Sequence, residues 1–262
     1  MLTLHHNNMS VCAQKVRLVI RAKSLEVTEH HLNLRLGDQL KPDYLALNPN
    51  GVVPTLVVDG RPIIESTLIC EYLDEAYPAP PLRPGDLVER AIMRRFAAIP
   101  DQGLHAACGT LSSAIAFRHQ YLARPRAEME DNIARTPDPA RRERKRLTIE
   151  MGMAAPFAAD AVRAYDGVLG RIEARLGEAG TWLTGDAYSL AEACLTPYLV
   201  RLDHLRLGWM WDRRPRLAAW YERIQAQENF TGIADYLDDK YLTLMAEHGP
   251  KARPIVEAAL AA

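Results

Sequence analysis

The sequence predicts a mixed α/β domain over residues 1–80, followed by an all-helical domain over residues 87–262. Three observations carry that prediction. Residues 1–77 alternate between strand-like and helix-like hydrophobic periods, in the order β-α-β-α-β-β-α. The run Tyr77-Pro78-Ala79-Pro80-Pro81-Leu82-Arg83-Pro84-Gly85-Asp86 is a proline-rich linker. Beyond it strand signals vanish and apolar residues recur at helical spacing. A chain of 262 residues has room for one large domain or two smaller ones.

Taken in order, Leu2 to His5 alternates as a short strand, and Asn7-Asn8-Met9-Ser10 is a polar loop. From Val11 to Lys23 the residues Val11, Val16, Leu18, Val19 and Ala22 form a helical stripe with basic residues opposite. Val27 to Leu34 reads as a second strand, broken at Gly37-Asp38; Asp43 to Leu47 reads as a short helix stopped by Asn48-Pro49. Two further strands, Thr55 to Val58 and Pro62 to Ile64, flank the hairpin dipeptide Asp59-Gly60. Glu65 to Tyr77 is an amphipathic helix with Leu68, Ile69, Tyr72 and Leu73 on one face. This order is compatible with a thioredoxin-like domain, a mixed sheet with helices on both faces.

After the linker, Leu87 to Leu122 reads as one long helix with a kink expected at Pro100. Arg124 to Met153 contains Thr136-Pro137-Asp138-Pro139 and the run Arg141-Arg142-Glu143-Arg144-Lys145-Arg146. It reads either as a solvated helix and loop, or as an inserted lid or dimer element turning basic residues toward an acidic group. Phe157 to Leu176 is amphipathic, and Gly180 to Asp186 is a tight turn. Helices over Ser189 to Arg206, Pro215 to Gln227 and Thr231 to Met245 complete the second domain. Ser189-Leu190-Ala191-Glu192 has the spacing of a capping box, the Ser189 hydroxyl capping the N3 amide and Glu192 reaching back.

Composition narrows the function. The chain is 48% hydrophobic and 25% charged, with a net charge of −1. That balance offers no electrostatic case for nucleic acid or an anionic membrane as partner. No apolar run approaches the roughly 18 residues of a membrane span, and Met1-Leu2-Thr3-Leu4-His5 lacks the regions of a signal peptide. Cys12, Cys70, Cys108 and Cys194 are widely spaced, which favours reduced thiols and a cytoplasmic location. The eight histidines show no H-E-x-x-H or spaced ligand set, so no metal is expected; glycine-rich nucleotide motifs are missing too.

The richest stretch is Asn48-Pro49-Asn50-Gly51-Val52-Val53-Pro54-Thr55-Leu56, followed by Glu65-Ser66-Thr67. A proline just before an apolar strand cannot serve as an interior ladder donor, and a cis Val53–Pro54 bond is expected there. The helix opened at Glu65-Ser66-Thr67 presents N–H groups that suit an anion. A bend that bares backbone polar groups, beside a helix start that holds a carboxylate, is a site for a small peptide. N-P-x-G-x-V-P-x-L followed by E-S resembles the glutathione-binding signature of the glutathione transferases. The run Leu183-Thr184-Gly185-Asp186-Ala187-Tyr188-Ser189-Leu190-Ala191-Glu192-Ala193 is similar to the buried capping-box motif of that family's helical domain, with Glu192 where Asp is usual.

The resemblance implies glutathione as co-substrate and a small-molecule electrophile as its partner. A thiol with a pKa of about 8.5 is a few per cent ionised at neutral pH. Lowering it by about two units needs about 2.7 kcal/mol of preference for the anion. A donated hydroxyl supplies about 1.5–3 kcal/mol and a helix start about 0.3–1. Ser10-Val11-Cys12-Ala13-Gln14-Lys15-Val16-Arg17 places Ser10 at the loop-to-helix junction and is similar to the S-x-C-x-x-x-V-R pattern of serine-type and zeta-like members, whose serine hydrogen-bonds the sulfur. A serine there can equally be a plain N-cap. Cys12 is the rival, which would make a thiol transferase or reductive dehalogenase working through a mixed disulfide.

By the same resemblance, Val53 pairs its backbone with the cysteinyl residue as an added strand does, and Pro54 holds that bend. Glu65 meets the γ-glutamyl ammonium, and Ser66 the γ-glutamyl carboxylate. Gln39 and Lys41 reach the glycyl carboxylate, or are simply an exposed amide and a solvated amine. Arg17 reads as a structural ion-pair residue. The second substrate is expected over Ser10, with His105, Cys108, Trp209 and Trp211 as candidate walls. The stretch Ile64 to Pro78 and the enlarged charged middle of the helical domain resemble the bacterial β-etherases, transferases that cleave aryl ethers with glutathione. Zeta-like isomerisation and a non-catalytic binding role stay open. The resemblance also implies a homodimer.

Overall fold

A computed structural model describes residues 1–136 and 138–262. Four strands, β1 (Leu2–His6), β2 (Thr28–His31), β3 (Thr55–Val58) and β4 (Arg61–Ile63), form one sheet in the order β2-β1-β3-β4. Helices α1 (Val11–Ala22), α2 (Pro42–Leu47) and α3 (Ser66–Ala76) are interleaved with them. After these come α4 (Leu87–Ala97), α5 (His105–Ser112), α6 (Arg118–Leu122), α7 (Arg126–Ala134), α8 (Pro139–Met151), α9 (Ala158–Ala179), α10 (Leu190–His204), α11 (Pro215–Gln225), α12 (Thr231–Ala234) and α13 (Asp239–Ala261). The chain groups into two compact units: Met1–Ile99 with Ala174–Pro197 and Arg216–Asp238, and Pro100–Glu173 with Tyr198–Pro215 and Asp239–Ala262.

In the first unit β1 runs parallel to β2 and antiparallel to β3, and β3 runs antiparallel to β4. Period-2 alternation on β1 sends successive side chains to opposite faces. His6 turns toward Arg17 of α1, and His5 toward Tyr44 of α2, which places helices on both faces. Asp59 and Gly60 both have positive φ, the geometry a two-residue hairpin needs. Val53–Pro54 is cis. β2 is shorter than the 27–34 run suggested; all four of its residues are exposed, as on a sheet edge.

Two expectations about burial change. The basic face predicted for α1 is not solvated: Lys15 is 0% and Arg17 1% exposed. The helix packs against α3 and, on another side, against α12 and the turn Glu228–Phe230, so it is buried nearly all round. Leu68 is not on the buried face of α3; it is 57% exposed, while Ile69, Cys70, Leu73 and Asp74 face inward. The linker is tied into this unit, with Asp74 accepting from Leu82 N at 2.8 Å and from Lys23 Nζ at 2.5 Å.

The predicted 87–122 helix is broken. α4 stops at Ala97, and Pro100–Leu104 form a wide turn with Gly103 at φ 126°, a conformation L side chains rarely adopt. The run over Thr231 to Met245 is likewise two helices, and α13 continues to Ala261 through Pro250 and Pro254. In the second unit, α7 and α8 pack together around Met129, Ile133 and Ile149, with Tyr121 against them. Much of the basic run is paired locally, although Arg141 and Arg144 are exposed. Arg146 pairs with Glu130 at 2.8 Å, Lys145 donates to Asn132 at 2.7 Å, and Arg144 donates to Thr110 at 3.0 Å and lies 4.0 Å from the Phe157 ring. Pro137 lies outside the described residues.

Candidate functional site

The register of the sheet decides which candidates meet. His5 of β1 pairs with Thr55 of β3, so the chain leaving β1 toward Ser10 and the chain entering β3 from Pro54 share one end of the sheet. β4 pairs antiparallel with β3, Leu56 opposite Ile63, so the exit from β4 into Glu65 and Ser66 reaches that end as well. β2 runs parallel to β1, and its exit toward Gln39 and Lys41 points the same way. Four segments distant in sequence thus arrive at one edge.

Ser10 is the N-cap of α1, with its Oγ accepting from Ala13 N at 3.3 Å. Capping uses an acceptor lone pair and leaves the hydroxyl proton to donate elsewhere. Its own N–H donates to Asn7 O at 3.2 Å. Cys12, two residues into α1, is half-buried. Burial and neighbouring Cys194 push the Cys70 thiol well up, which makes it inert.

The bend at Val53 is built from below. Tyr44 Oη donates to Val52 O at 2.5 Å and lies 2.8 Å from Thr55 Oγ1; Asn48 Nδ2 donates to Val52 O at 2.9 Å and to Thr55 Oγ1 at 3.1 Å. Among the described residues no backbone hydrogen bond uses the Val53 N–H or C=O, which suits pairing with an added strand. Glu65 has φ 69° and ψ 108°, a strained backbone that costs about 1–3 kcal/mol and is typical of ligand clamps. Its Oε1 lies 3.5 Å from Asn50 Nδ2, which links the bend to the start of α3. Ser66 opens α3 and is 7% exposed, so its N–H is one of the helix donors without an intrahelical partner.

Gln39 and Lys41 sit in and after the turn Asp38–Leu40. Gln39 Nε2 reaches Leu34 O at 3.4 Å, and its Oε1 is buried without a partner. Lys41 is mostly exposed and paired with Asp38 at 2.7 Å, and the Lys41 ammonium beside Asp38 lowers that carboxyl's pKa. Lys41 and Asp38 also border a pocket of about 420 Å³ lined by His5, His30 and Tyr44; Ser10, Val53, Glu65 and Ser66 are not among its walls.

The sequence missed two partners. Lys15, fully buried, donates to Thr67 Oγ1 at 2.7 Å in the first turn of α3. Tyr44 holds the bend from inside α2, and no local signal in Pro42–Leu47 announces that. Arg17 is not an ion-pair residue: its acceptors are carbonyls and an imidazole nitrogen. The capping box at Ser189 is present with altered bonding. Ser189 Oγ accepts from Ala191 N, one residue earlier than expected, while Glu192 accepts from Ser189 N, Ser189 Oγ and Leu183 N at 2.9, 2.6 and 2.7 Å.

In the second unit, His105 is exposed, its Nδ1 3.3 Å from the Tyr198 hydroxyl. Cys108 is 1% exposed beside Ser112 and is core rather than wall, as is Trp211 at 9%. Trp209 lies under Arg253, whose guanidinium carbon is 4.8 Å from the ring centre.

The glutathione S-transferase N-terminal domain matches residues 9–76 and the glutathione S-transferase C-terminal domain matches residues 139–223, together more than half of the chain. The chain belongs to the glutathione S-transferase family. Glutathione S-transferase Z1 of Arabidopsis thaliana is 43% identical over 96 residues, 36% of this chain and 43% of the relative. Maleylacetoacetate isomerase of Pseudomonas aeruginosa is 40% identical over 99 residues, 37% of this chain and 47% of the relative. The chain thus spans less than half the length of these two relatives. Protein LigF of Sphingobium sp. strain SYK-6 is 26% identical over 213 residues, 78% of this chain and 82% of LigF. The crystal structure of that β-etherase superposes with a TM-score of 0.79 at 25% identity, covering 90% of this chain and 99% of LigF. The N-terminal transferase domain contains Ser10, Val53, Pro54, Glu65 and Ser66 in its matched span. No helix among the described residues is long and apolar enough to cross a membrane.

Proposed function

We propose that the chain is a glutathione transferase whose Ser10 hydroxyl donates to the glutathione sulfur and holds it as a thiolate. The thiolate attacks an apolar or aromatic electrophile. With a β-aryl ether the S–C bond forms as the C–O bond breaks, and the aryloxide leaves and takes a proton from water. The observation that supports this reading is the gathering of the Ser10 cap, the Val53 bend and the Ser66 helix start at one end of the sheet. Val53 pairs with the cysteinyl backbone, Pro54 fixes the bend, Glu65 and Ser66 take the γ-glutamyl end, and Gln39 and Lys41 take the glycyl carboxylate. The last role requires Lys41 to exchange Asp38 for the ligand.

The likeness to LigF over most of both chains favours ether cleavage. The maleylacetoacetate isomerase match favours a second reading, isomerisation at the same thiolate. We assign residues 1–80 to glutathione and residues 87–262 to the helical domain, place the protein in the cytoplasm, and take the exposed Leu68, Leu87 and Val88 as support for a homodimer.

The test is a thiolate absorbance titration of bound glutathione in Ser10→Ala and Cys12→Ser variants. Loss of the serine donor returns the thiol toward its free value, by about two units, which lowers the thiolate population about 25-fold at pH 7. Cys12→Ser leaves the titration unchanged. The opposite pattern transfers the role to Cys12. Release of a phenol from a β-aryl ether separates the first reading from the isomerase.

A further inference from the structure

Arg17 is 1% exposed, yet no carboxylate is among its hydrogen-bond acceptors. Nη2 donates to Asn8 O at 2.8 Å, and Nη1 donates to Asn7 O at 3.3 Å and to His6 Nδ1 at 2.9 Å. Nε donates to Gly232 O at 2.8 Å. The Tyr236 ring centre lies 4.1 Å from the guanidinium carbon. A guanidinium always donates, so His6 Nδ1 is the acceptor and the proton sits on Nε2, 3.2 Å from Glu29 Oε2. Glu29 Oε1 in turn accepts from the Tyr236 hydroxyl.

The carbonyls that Arg17 grips belong to the turn ahead of Ser10. Asn7 O is shared between Arg17 and the Ser10 N–H. Asn7 Oδ1 accepts from Met9 N at 3.1 Å, and Asn7 Nδ2 donates to Leu32 O at 3.0 Å. At the other end, a Cβ on Gly232 would lie 2.8 Å from the Arg17 carbonyl carbon and oxygen, so only glycine lets that turn approach. Asn229 Nδ2 adds a bond to Leu18 O at 3.3 Å.

We propose that Arg17, backed by neutral His6, Glu29 and Tyr236, is a positioning residue that sets the angle of the Ser10 hydroxyl at the glutathione sulfur. This rests on the Ser10 reading above. A single ammonium cannot serve four acceptors set around a planar fork, so lysine is not an equivalent. Hydrogen-bond strength falls steeply with misalignment, and a loosened Asn7–Met9 turn costs anion stabilisation before it costs binding.

The test compares wild type, Arg17→Met, Arg17→Lys, Tyr236→Phe and Ser10→Ala for the thiol pKa of bound glutathione, glutathione Kd, and the pH profile of kcat/KM. Arg17→Met raises the thiol pKa by about one unit, a loss of kcat/KM of about 3-fold at pH 7 that approaches 10-fold below pH 6 and recovers at alkaline pH, with Kd unchanged. Arg17→Lys and Tyr236→Phe fall between it and wild type, and Tyr236→Phe carries the test if Arg17→Met does not fold. A loss equal at every pH, or an unchanged pKa in Arg17→Met and Tyr236→Phe while Ser10→Ala shifts it, overturns the inference alone. An unchanged pKa in Ser10→Ala overturns the function and this inference together.

Discussion

His6 makes the fold sensitive to acid in a way that one substitution isolates. Its side chain is 1% exposed, and burial, then the Arg17 charge, lower its pKa from 6.5 to about 3. The charges of His31 and His5 are smaller contributors to the same shift. Between those two values the unfolded chain takes up a proton at His6 and the native state does not. Stability therefore falls as pH drops below about 6.5, by up to about 1.4 kcal/mol per pH unit. From pH 7.5 to pH 5 this group alone removes about 2 kcal/mol. Asparagine at position 6 keeps an acceptor for Arg17 but cannot be protonated. Urea unfolding of wild type and His6→Asn at matched pH values reads the difference. His204, lowered to about 4 mainly by burial, contributes equally to both proteins and cancels. The wild type should lose about 2 kcal/mol more than the variant over that interval. Parallel stability curves would show that His6 is protonated in the native state, and the hydrogen-bond direction assigned to Arg17 would be wrong.

Two further substitutions probe buried polar groups that the fold depends on. Glu192→Gln keeps the shape but turns one acceptor oxygen into a donor facing the Ser189 or Leu183 N–H, and should cost about 2–3 kcal/mol by chemical denaturation; a variant as stable as wild type would mean those bonds carry no net energy. Asp74→Asn leaves the buried Lys23 ammonium without its counter-charge and weakens the anchor on Leu82 N, so unfolding free energy should fall by about 3–5 kcal/mol. An unchanged midpoint would place that pair in water.

Much of the candidate site was legible because its signals are local. The Asp59-Gly60 turn, the Ser10 cap and the proline before β3 each act through the backbone of a few neighbouring residues, and all three occur where expected. The capping box was also visible, although the hydroxyl chose Ala191 N over the next amide. The break after Ala97 was half visible: Pro100 marked the place, but the wide turn depends on Gly103, whose positive φ no periodicity reveals.

By itself, the sequence determined the order of strands and helices over residues 1–77 and the residue types available to hold a peptide thiol. Short-range turn chemistry and hydrophobic period suffice for both. Only the tertiary structure decided what surrounds α1. Lys15 and Arg17 look like solvent-facing charges in a stripe pattern, yet both are buried, Lys15 against Thr67 of α3 and Arg17 under a glycine turn 215 residues further along. Burial on a helix's second side is a property of the segment that arrives there, and no window of neighbouring residues contains it.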